Sequence, residues 1–330
     1  MRRVFISSLL LTALLFVTPL FLFAAKTGTP TQESPAPTPT KQEAALQDES
    51  VTLQVWNGEK TVSMSMAEYL RGVVRGEMPA SFEAEALKAQ AVAERTYIYY
   101  QMRGGRKKGH PNADICTDHT CCNAWLSQEA AAKKWEDKAA EYEAKIDEAV
   151  AETDGQVVLY KGAPILAAFH SSSAGVTANS GDVWTSDLPY LASVKSPESG
   201  DNVPNYYSVK TFSAAEFRDA FLAAYPQALF SDNRTDWVQN LKKNGSDRVE
   251  SVTIGGVEVS GTEVRSIFSL RSASFTVDTS GEGITFHVTG YGHGVGMSQY
   301  GANELAREGK TWREILAWYY TDTTVDTYSP

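Results

Sequence analysis

The feature that most constrains this chain is an uncharged apolar segment near its start. Arg2 and Arg3 precede Val4 to Ala25, a run of 22 residues without a charged side chain. A helix of that length can span a bilayer, and the two arginines favour a cytoplasmic N-terminus. A cleaved signal peptide is the alternative, but Phe23 stands where a cleavage site needs a small residue. The sequence therefore predicts an uncleaved membrane anchor, with all later residues outside the cytoplasm.

A tether is predicted after the anchor. Residues 26 to 50 are rich in Pro, Thr, Gln and Ala, a composition that buries little apolar surface and stays extended. Folded structure is expected to begin near Val51. The predicted organisation is therefore a cytoplasmic tip and anchor at 1–25, a flexible linker at 26–50 and one extracytoplasmic domain at 51–330.

The charge balance of the chain is acidic. There are 30 Lys and Arg residues against 40 Asp and Glu residues, which gives a net charge of -10. Nucleic acid is not an expected partner, because affinity for it depends on cations that displace counterions. A neutral polymer such as a glycan suits this chain better.

Apolar spacing predicts the first two helices. Between Ser65 and Pro79 apolar residues recur every three or four positions, which is the helical period. Ser65 and Glu68 form a capping-box pattern, and Gly76 with Pro79 is expected to end this helix. A second helix is predicted from about 81 to 102.

The remainder of the chain mixes helices and strands. The predicted elements are an irregular Cys- and His-rich loop at 103–125, a helix at 127–152, a β-hairpin at 157–169, a helix at 213–225, strands between 250 and 292, and helices at 298–308 and 311–320. These elements occur in blocks rather than in βαβ units, which is typical of an α+β fold. We expect mixed helices and antiparallel β-hairpins around one substrate cleft, with an N-terminal transmembrane helix.

Glu77 is the first candidate for chemistry. The apolar stripe of the first helix advances from Val73 to position 77, so a carboxyl group continues the buried face where the helix ends. Burial disfavours the charged form and raises a carboxyl pKa, which suits a general acid that works near neutral pH. The alternative is a partly exposed glutamate at a helix end with no special role.

Arg95 interrupts the apolar face of the second helix. It shares that face with Leu87, Ala91 and Ile98, and a guanidinium there needs an acceptor or a water-filled cleft. It would orient Glu77 or hold substrate. A structural ion pair is the alternative.

Two histidines lie in loops suited to binding. His170 ends an apolar strand and precedes three serines, and such strand ends often carry binding groups. A serine hydrolase is disfavoured, because the G-x-S-x-G elbow is absent. His293 stands among glycines at 290, 292, 294 and 296, which allow the close approach of a ligand or another backbone. The alternative for His293 is a plain turn that leads into the next helix.

Five potential metal ligands occur within one short loop: His110, Cys116, His119, Cys121 and Cys122. Zinc takes four such ligands in a closed structural site, so we predict a structural metal. One disulfide with a free thiol is the alternative. A catalytic metal is disfavoured, because thiolate-rich sites tend to be closed.

Taken together, these motifs resemble the stage II sporulation protein D family. The matching segments are Glu68 to Pro79, Glu85 to Tyr97, Asp154 to Val158, Phe169 to Gly175, Pro189 to Leu191 and Gly292 to Ala302. They follow one another in order from about residue 51 to the C-terminus. The resemblance implies a lytic transglycosylase of peptidoglycan, tethered by one N-terminal helix, that acts in engulfment during endospore formation.

The resemblance also implies roles for individual residues. Glu77 matches the family's catalytic glutamate, while Arg95 and Tyr190 match its cleft-lining arginine and tyrosine. The other residues assigned to substrate binding are His170, Ser171, Ser172, His293, Ser298 and Gln299. Zinc is implied on His110, Cys116, Cys121 and Cys122, with His119 as an alternative ligand because Cys121 stands where a histidine is usual.

The implied substrate is a peptidoglycan strand without stem peptides. This implies two partners, the amidase stage II sporulation protein P and the membrane protein stage II sporulation protein M. The expected location is the cell membrane, with a single span and the folded domain on the mother-cell side of the sporulation septum.

The implied mechanism needs one carboxyl group. Most glycosidases use two, and this sequence offers one convincing candidate. In a lytic transglycosylase the muramic-acid C6 hydroxyl is the nucleophile, so Glu77 would act first as acid and then as base. The alternatives are a simple glycan hydrolase, a metal-dependent hydrolase and a non-catalytic glycan-binding activator of a cell-wall amidase.

Overall fold

Folded structure begins earlier than the sequence suggested. The computed structural model describes residues 46–328, and its first element is helix α1 (Leu46–Ser50). The expected start near Val51 is therefore wrong. Asp48 is 1% exposed, because its carboxylate pairs with Arg95 in the interior. The predicted anchor and the linker up to residue 45 lie outside the described residues.

A hairpin leads directly into the helix that carries Glu77. Strands β1 (Thr52–Trp56) and β2 (Thr61–Ser65) pair antiparallel, and α2 (Met66–Glu77) follows without a loop. Ser65 caps α2, because its hydroxyl accepts a hydrogen bond from the backbone N–H of Glu68. That hydroxyl itself donates to Glu49. The predicted cap is thus confirmed in one direction.

Helix α3 (Ala84–Gly104) packs beside α2 and forms the centre of the main core. The predicted apolar face of α2 is confirmed, since Met66, Tyr69, Leu70 and Val73 are fully buried. The second predicted helix is also confirmed, with its start displaced to Ala84. Packing against α3 therefore fixes the end of α2 against the core.

The region after α3 is a loop followed by two helices. A two-residue strand, β3 (Ile115–Cys116), pairs parallel with β1. Helices α4 (Gln128–Trp135) and α5 (Ala139–Glu152) are separated by a 3-10 turn at Glu136–Lys138. The single helix predicted at 127–152 is therefore wrong. Glu136 has a positive φ of 53°, a conformation that an α-helix cannot continue through.

The predicted hairpin after α5 is present. Strand β4 (Gln156–Tyr160) pairs antiparallel with β5 (Ala163–Pro164). The chain then passes through strand β6 (Phe169–His170). These strands are shorter than the predicted span of 157–169, because 165–168 lies outside regular structure.

A second lobe has its own apolar core, which is rich in phenylalanine. Its elements are β7 (Tyr207–Ser213), α6 (Ala214–Ala224), β8 (Val238–Lys243), β9 (Val249–Ile254), β10 (Val257–Val259), α7 (Gly261–Ile267), β11 (Phe275–Asp278) and β12 (Gly283–Thr289). Two antiparallel sheets result, with strand orders β10-β9-β8 and β11-β12-β7. The helix predicted at 213–225 is confirmed, and so are strands between 250 and 292, but α7 lies between them and was not predicted.

The C-terminal segment returns to the first core. Strand β13 (Met297–Ser298) pairs parallel with β6, and helices α8 (Gln299–Arg307) and α9 (Trp312–Tyr319) follow. The last strand, β14 (Thr324–Thr327), pairs antiparallel with β4. The fold is therefore α+β as predicted, with two short parallel pairings that were not expected. Within residues 46–328, no helix has both the length and the apolar character needed to cross a membrane.

Candidate functional site

Glu77 lies on the wall of a pocket of about 310 Å³. The end of α2, the Cys- and His-rich loop and the chain around β6 form this pocket. Its lining residues are Glu77, Tyr97, His119, Cys122, Asn123, Leu166, Ala167, Ala168, Phe169, Trp184 and His293. The volume falls in the range of small-ligand sites. Of the residues predicted to act on a substrate, this lining contains Glu77 and His293.

The carboxyl group of Glu77 is partly withdrawn from solvent. Burial raises its pKa, and the backbone N–H of Ala124, which donates to Oε1, opposes this shift only in part. A carboxyl group with a raised pKa holds its proton closer to neutral pH, so it can donate that proton. The backbone carbonyl of Glu77 also accepts a 2.9 Å hydrogen bond from the side-chain amide of Gln299. Both the main chain and the side chain of Glu77 are thus fixed.

Two glycines of α2 allow the loop to reach Glu77. A Cβ atom at Gly72 would lie 1.9 Å from the indole nitrogen of Trp125, and one at Gly76 would lie 2.4 Å from the carbonyl oxygen of Ala124. The backbone N–H of Leu126 donates to the carbonyl of Gly72. Gly76 and Pro79 were predicted to end the helix, and α2 does end between them, at Glu77. Gly76 is also a point at which the loop contacts the helix.

A second carboxyl group, which was not among the predicted site residues, is buried near Glu77. Glu94 on α3 has no solvent exposure, and its side chain accepts hydrogen bonds from the amides of Gln90 and Asn123. Burial, with a smaller contribution from the charge of Glu77, raises the pKa of Glu94 well above its usual range. The neutral form of Glu94 is therefore favoured.

His110, Cys116, Cys121 and Cys122 form one compact cluster. Their ligand atoms all lie within 4.8 Å of one another, and the three cysteines are free thiols. Sγ of Cys122 lies 3.9 Å from Sγ of Cys121 and 3.4 Å from Nε2 of His110. Ligands at ordinary zinc bond lengths in a tetrahedron are about 3.5 to 3.8 Å apart. Both the donor set and its spacing therefore fit a tetrahedral metal ion.

The local backbone explains how adjacent cysteines can both belong to this cluster. The backbone N–H groups of Cys121 and Cys122 donate to the same carbonyl, that of Asp118, at 3.0 and 2.7 Å. His110 directs Nδ1 to the carbonyl of Ala113 at 3.1 Å, which leaves Nε2 for the cluster. These contacts order the loop in the arrangement that a metal site requires.

His119 does not belong to the cluster. Its side chain is 76% exposed, with Nδ1 3.9 Å from the carboxylate of Asp118. The suggestion that His119 replaces one ligand is therefore wrong, since the turn at Asp118 directs this side chain outward to the rim of the pocket. The four other predicted ligands are the ones that the structure brings together.

His170 and His293 lie side by side, with 5.7 Å between their ring centroids. Both bind Val295, since Nδ1 of His293 accepts from its backbone N–H and Nδ1–H of His170 donates to its carbonyl. Burial lowers the pKa of each imidazole to about 3, so both rings are neutral near neutral pH. His293 reaches the pocket beside Trp184, 5.2 Å from its ring. His170 is buried behind His293, outside the pocket lining.

Ser298 joins two loops and does not line the pocket. The hydroxyl of Ser298 donates to the buried carboxylate of Glu198 at 2.6 Å, and the same oxygen accepts from the backbone N–H of Ser173 at 2.7 Å. This carboxylate therefore links the serine loop to the start of α8. Four residues predicted to bind substrate lie outside the pocket lining: Ser171, Ser172, Ser298 and Gln299.

Arg95 does not have the predicted role in substrate binding. It has no solvent exposure, and its guanidinium pairs with Asp48, with the closest contact at 2.6 Å, and donates to the carbonyl of Gln156 at 3.0 Å. These partners hold it on the side of α3 that faces α1 and β4. Arg95 therefore neither lines the pocket nor contacts Glu77, and the alternative of a structural ion pair is the one observed.

Tyr190 also lies outside the pocket lining. Its side chain is 7% exposed and packs against Tyr160 at 5.3 Å between ring centroids. Its hydroxyl accepts a hydrogen bond of 3.2 Å from the backbone N–H of Leu166, which is a lining residue. Tyr190 thus supports one wall of the pocket from behind.

Tyr97 and Trp184 provide aromatic surface that was not predicted. Tyr97 lies three residues after Glu94 on α3, and residues at this spacing share a helix face. The spacing could therefore have revealed both Glu94 and Tyr97. Lys107 connects Tyr97 to the metal cluster, because its ammonium donates to the Tyr97 hydroxyl at 3.1 Å and to the carbonyl of Cys121. Trp184 follows a 3-10 turn in an irregular segment, where no periodicity identifies it.

A larger depression, of about 800 Å³, lies on another face of α2. Its cationic residues Arg71 and Arg75 already pair with carboxylates, and Arg75 contacts Glu143 in a bidentate manner. The charges of this depression are satisfied within the protein. The pocket at Glu77, in contrast, combines a carboxyl group of raised pKa with aromatic walls.

Comparison with known proteins identifies the family. A family model described as Stage II sporulation protein matches residues 56–160. Stage II sporulation protein D of Bacillus subtilis (strain 168) is 38% identical over 263 residues, which cover 80% of this chain and 75% of that protein. Stage II sporulation protein D of Bacillus amyloliquefaciens is 35% identical over 295 residues, 89% of this chain and 83% of that protein. The chain belongs to the stage II sporulation protein D family, as its motifs predicted.

A more distant similarity extends to a protein named for a different activity. The amidase enhancer of Bacillus subtilis (strain 168) is 28% identical over 310 residues, which cover 78% of this chain and 40% of that protein. Relatives of this chain are thus named both for sporulation and for enhancement of an amidase.

Proposed function

We propose that this protein is a lytic transglycosylase that cleaves the bond between MurNAc and GlcNAc in peptidoglycan strands without stem peptides, during engulfment in sporulation. The observation that carries the proposal is the position of Glu77, a partly buried carboxyl group with a raised pKa on the wall of a pocket. Membership of a sporulation family supports the biological setting.

In the proposed reaction Glu77 acts twice. Its proton passes to the glycosidic oxygen while the bond from that oxygen to C1 of the muramic acid breaks. The C6 hydroxyl of the same sugar then forms a bond to C1, and its proton passes to Glu77. No water is consumed, and the products are a 1,6-anhydro end and a new GlcNAc hydroxyl. Glu94 is buried and bound by two amides, so one carboxyl group remains to serve both steps.

The surroundings of Glu77 suit a polymer that continues on both sides of the cleaved bond. Glu77 lines the pocket that contains Trp184 and His293, and it also lines a second depression of about 340 Å³ that contains Trp135 and Tyr142. Aromatic rings offer flat apolar surfaces against which sugar rings can stack. We propose that these two depressions form one substrate cleft, with Glu77 at its middle.

The cluster of His110, Cys116, Cys121 and Cys122 would hold zinc in this proposal. A zinc ion with four protein ligands is a structural site, and it would stabilise the loop that supplies Asn123 and Ala124. The proposed location is the outer face of the cell membrane on the mother-cell side, with one N-terminal span. The proposed partners are an amidase, stage II sporulation protein P, which prepares the substrate, and stage II sporulation protein M.

A non-catalytic role is the second candidate, and the similarity to an amidase enhancer favours it. In that case the pocket would bind glycan and stimulate a cell-wall amidase. The carboxyl group of Glu77 would then contribute a hydrogen bond instead of a proton.

Product analysis with Glu77→Gln distinguishes these functions. The wild-type chain is incubated with amidase-treated peptidoglycan, and the soluble products are separated and identified by mass spectrometry. We expect 1,6-anhydro ends from the wild type and none from Glu77→Gln, which should still bind the strands. Products with ordinary reducing ends would indicate a hydrolase, and they would overturn the proposed reaction.

A matched control tests whether any loss reflects the pocket. Glu129→Gln changes an exposed glutamate whose contact is an ion pair with Lys133 at the surface, so it should leave product formation unchanged. The non-catalytic role is correct if neither the wild type nor the control cleaves strands, and if both accelerate an amidase to the same extent as Glu77→Gln does.

A further inference from the structure

Three arginines of the second lobe surround the loop that carries His293. Arg248 precedes β9 and approaches so closely that a Cβ atom at Gly294 would lie 2.7 Å from its Nη1. The carbonyl of Arg271 accepts from the backbone N–H of Gly292 at 2.9 Å. The guanidinium of Arg271 lies 4.2 Å from the centre of the Tyr291 ring. One guanidinium group thus lies against this loop at Gly294 and another at Tyr291.

Arg265, on α7, completes the group. Its Nε donates to the carbonyl of Leu270 at 3.3 Å, immediately before Arg271. Its charge lowers the pKa of Arg248, after the larger effect of burial, to about 10. Burial lowers the pKa of Arg265, and the phenol of Tyr291 opposes this shift in part. Arg248 and Arg265 therefore lie close enough to repel each other, and Tyr291 lies near both Arg265 and Arg271.

Within residues 46–328, none of these three arginines forms an ion pair with a carboxylate. Arg248 is 6% exposed, and its Nη2 has no hydrogen-bond partner. The buried Nε of Arg271 also has none. Asp182 is near enough to act on Arg248 electrostatically, but its Oδ2 accepts from the amides of Asn179 and Asn244.

Unpaired, buried guanidinium groups are costly, because they lose hydration and gain no counter-charge. The cost is unusual in this chain, since acidic residues outnumber basic ones by 40 to 30. A guanidinium presents parallel N–H groups that match a carboxylate or phosphate. The arrangement is therefore suited to an anionic group supplied by a ligand.

We propose that Arg248, Arg265 and Arg271 form a carboxylate-binding subsite beside His293, which takes the free lactyl carboxylate of a muramic-acid residue. This inference rests on the proposed function, because it adds a determinant of substrate choice to the same site. Removal of a stem peptide converts the lactyl amide to a carboxylate. The subsite thus recognises the group that distinguishes a strand without peptides from one that still carries them.

Binding measurements on Glu77→Gln protein test the subsite without any turnover. One probe is glycan strands with free lactyl carboxylates, and the other is the same strands after the carboxylates are converted to primary amides. We expect the carboxylate strands to bind at least about tenfold more tightly, as a charge-assisted bond to a guanidinium implies. Adding Arg271→Gln or Arg265→Gln should reduce this ratio to near one, with little change for the amidated strands.

Arg218→Gln is the matched control, because it removes an exposed arginine of the same lobe that pairs with Asp219. It should retain the preference. The subsite would be overturned if the Glu77→Gln protein bound carboxylate and amidated strands with similar affinity. It would also be overturned if the preference for carboxylate strands persisted in both arginine variants, or if these variants lost affinity equally for both kinds of strand. The proposed function fails on a different readout, the absence of anhydro ends, so the two failures are distinguishable.

Discussion

Glu77 and Glu94 lie on different helices but are bound by adjacent residues of the same loop. The backbone N–H of Ala124 donates to Glu77, and the side-chain amide of Asn123 donates to Glu94. Cys121 and Cys122 of the metal cluster come directly before these two residues. The conformation of this loop therefore determines the position of both carboxyl groups.

The protonation of Glu94 predicts a dependence of stability on pH. Burial raises its folded pKa well above the unfolded value, so its contribution to stability is present at low pH and is lost as pH rises through the folded pKa. We expect the Tm of the wild type to fall as the pH rises from the unfolded pKa of a glutamate through the folded pKa of Glu94, and Glu94→Gln to reduce that fall. Thermal unfolding of both proteins from pH 5 to 9 measures this. Parallel Tm curves for the two would contradict a neutral Glu94.

The helix face at Gly76 predicts a steric effect on the pocket. Alanine is favoured over glycine inside a helix by about 1 kcal/mol, but a Cβ atom here would lie 2.4 Å from the carbonyl oxygen of Ala124. The clash should dominate, so Gly76→Ala should displace the loop and lower strand cleavage at least about tenfold. Gly104→Ala is the control, because a Cβ atom there meets nothing within 4 Å. Equal cleavage by both variants would show that the loop tolerates the displacement.

The metal cluster predicts which substitutions remove the ion. The purified chain should contain about one zinc ion, and Cys122→Ser should lose it, because four closed ligands are needed for a structural site. His119→Ala should retain the ion, since His119 lies outside the cluster. Elemental analysis of the three proteins measures this directly. Retention by Cys122→Ser, or loss by His119→Ala, would require a different ligand set.

The ion pair of Asp48 and Arg95 predicts a large effect on stability. Both side chains are almost fully buried, and removal of one partner from a buried pair costs about 3–5 kcal/mol. Asp48→Asn should therefore lower the free energy of unfolding by several kcal/mol, as measured by urea denaturation.

An exposed ion pair of the same helix serves as the control. Glu49 pairs with Arg71 at the surface, and such pairs contribute about 0–1 kcal/mol, so Glu49→Gln should have little effect. If Asp48→Asn is equally mild, residues 46–50 are not an integral part of the folded domain.

Much of the fold could be predicted because its signals are local. The apolar stripe of α2 follows from residues three and four apart, and the position of Glu77 at the end of that stripe follows from the same count. The cluster of His110, Cys116, Cys121 and Cys122 was recognisable because all its ligands lie in one short segment. In these cases neighbouring residues carry the information.

The partners of Arg95 and Glu94 could not be predicted, because they come from distant parts of the chain. Asp48 lies in a segment whose composition resembles a linker, so nothing marked it as the counter-ion of Arg95. Asn123 reaches Glu94 only because glycines at 72 and 76 admit the loop. The three arginines around Gly292 and Gly294 likewise meet only after the second lobe has folded.

The parallel pairing of β6 with β13 has a consequence for biosynthesis. The wall of the pocket at Phe169 comes from the middle of the chain, and the wall at His293 comes from near its C-terminal end. A nascent polypeptide that has emerged only as far as α7 already contains Glu77, its supporting loop and all four potential metal ligands. It still lacks His293 and the strand that holds Phe169 in place. The pocket therefore cannot exist until translation has passed β13.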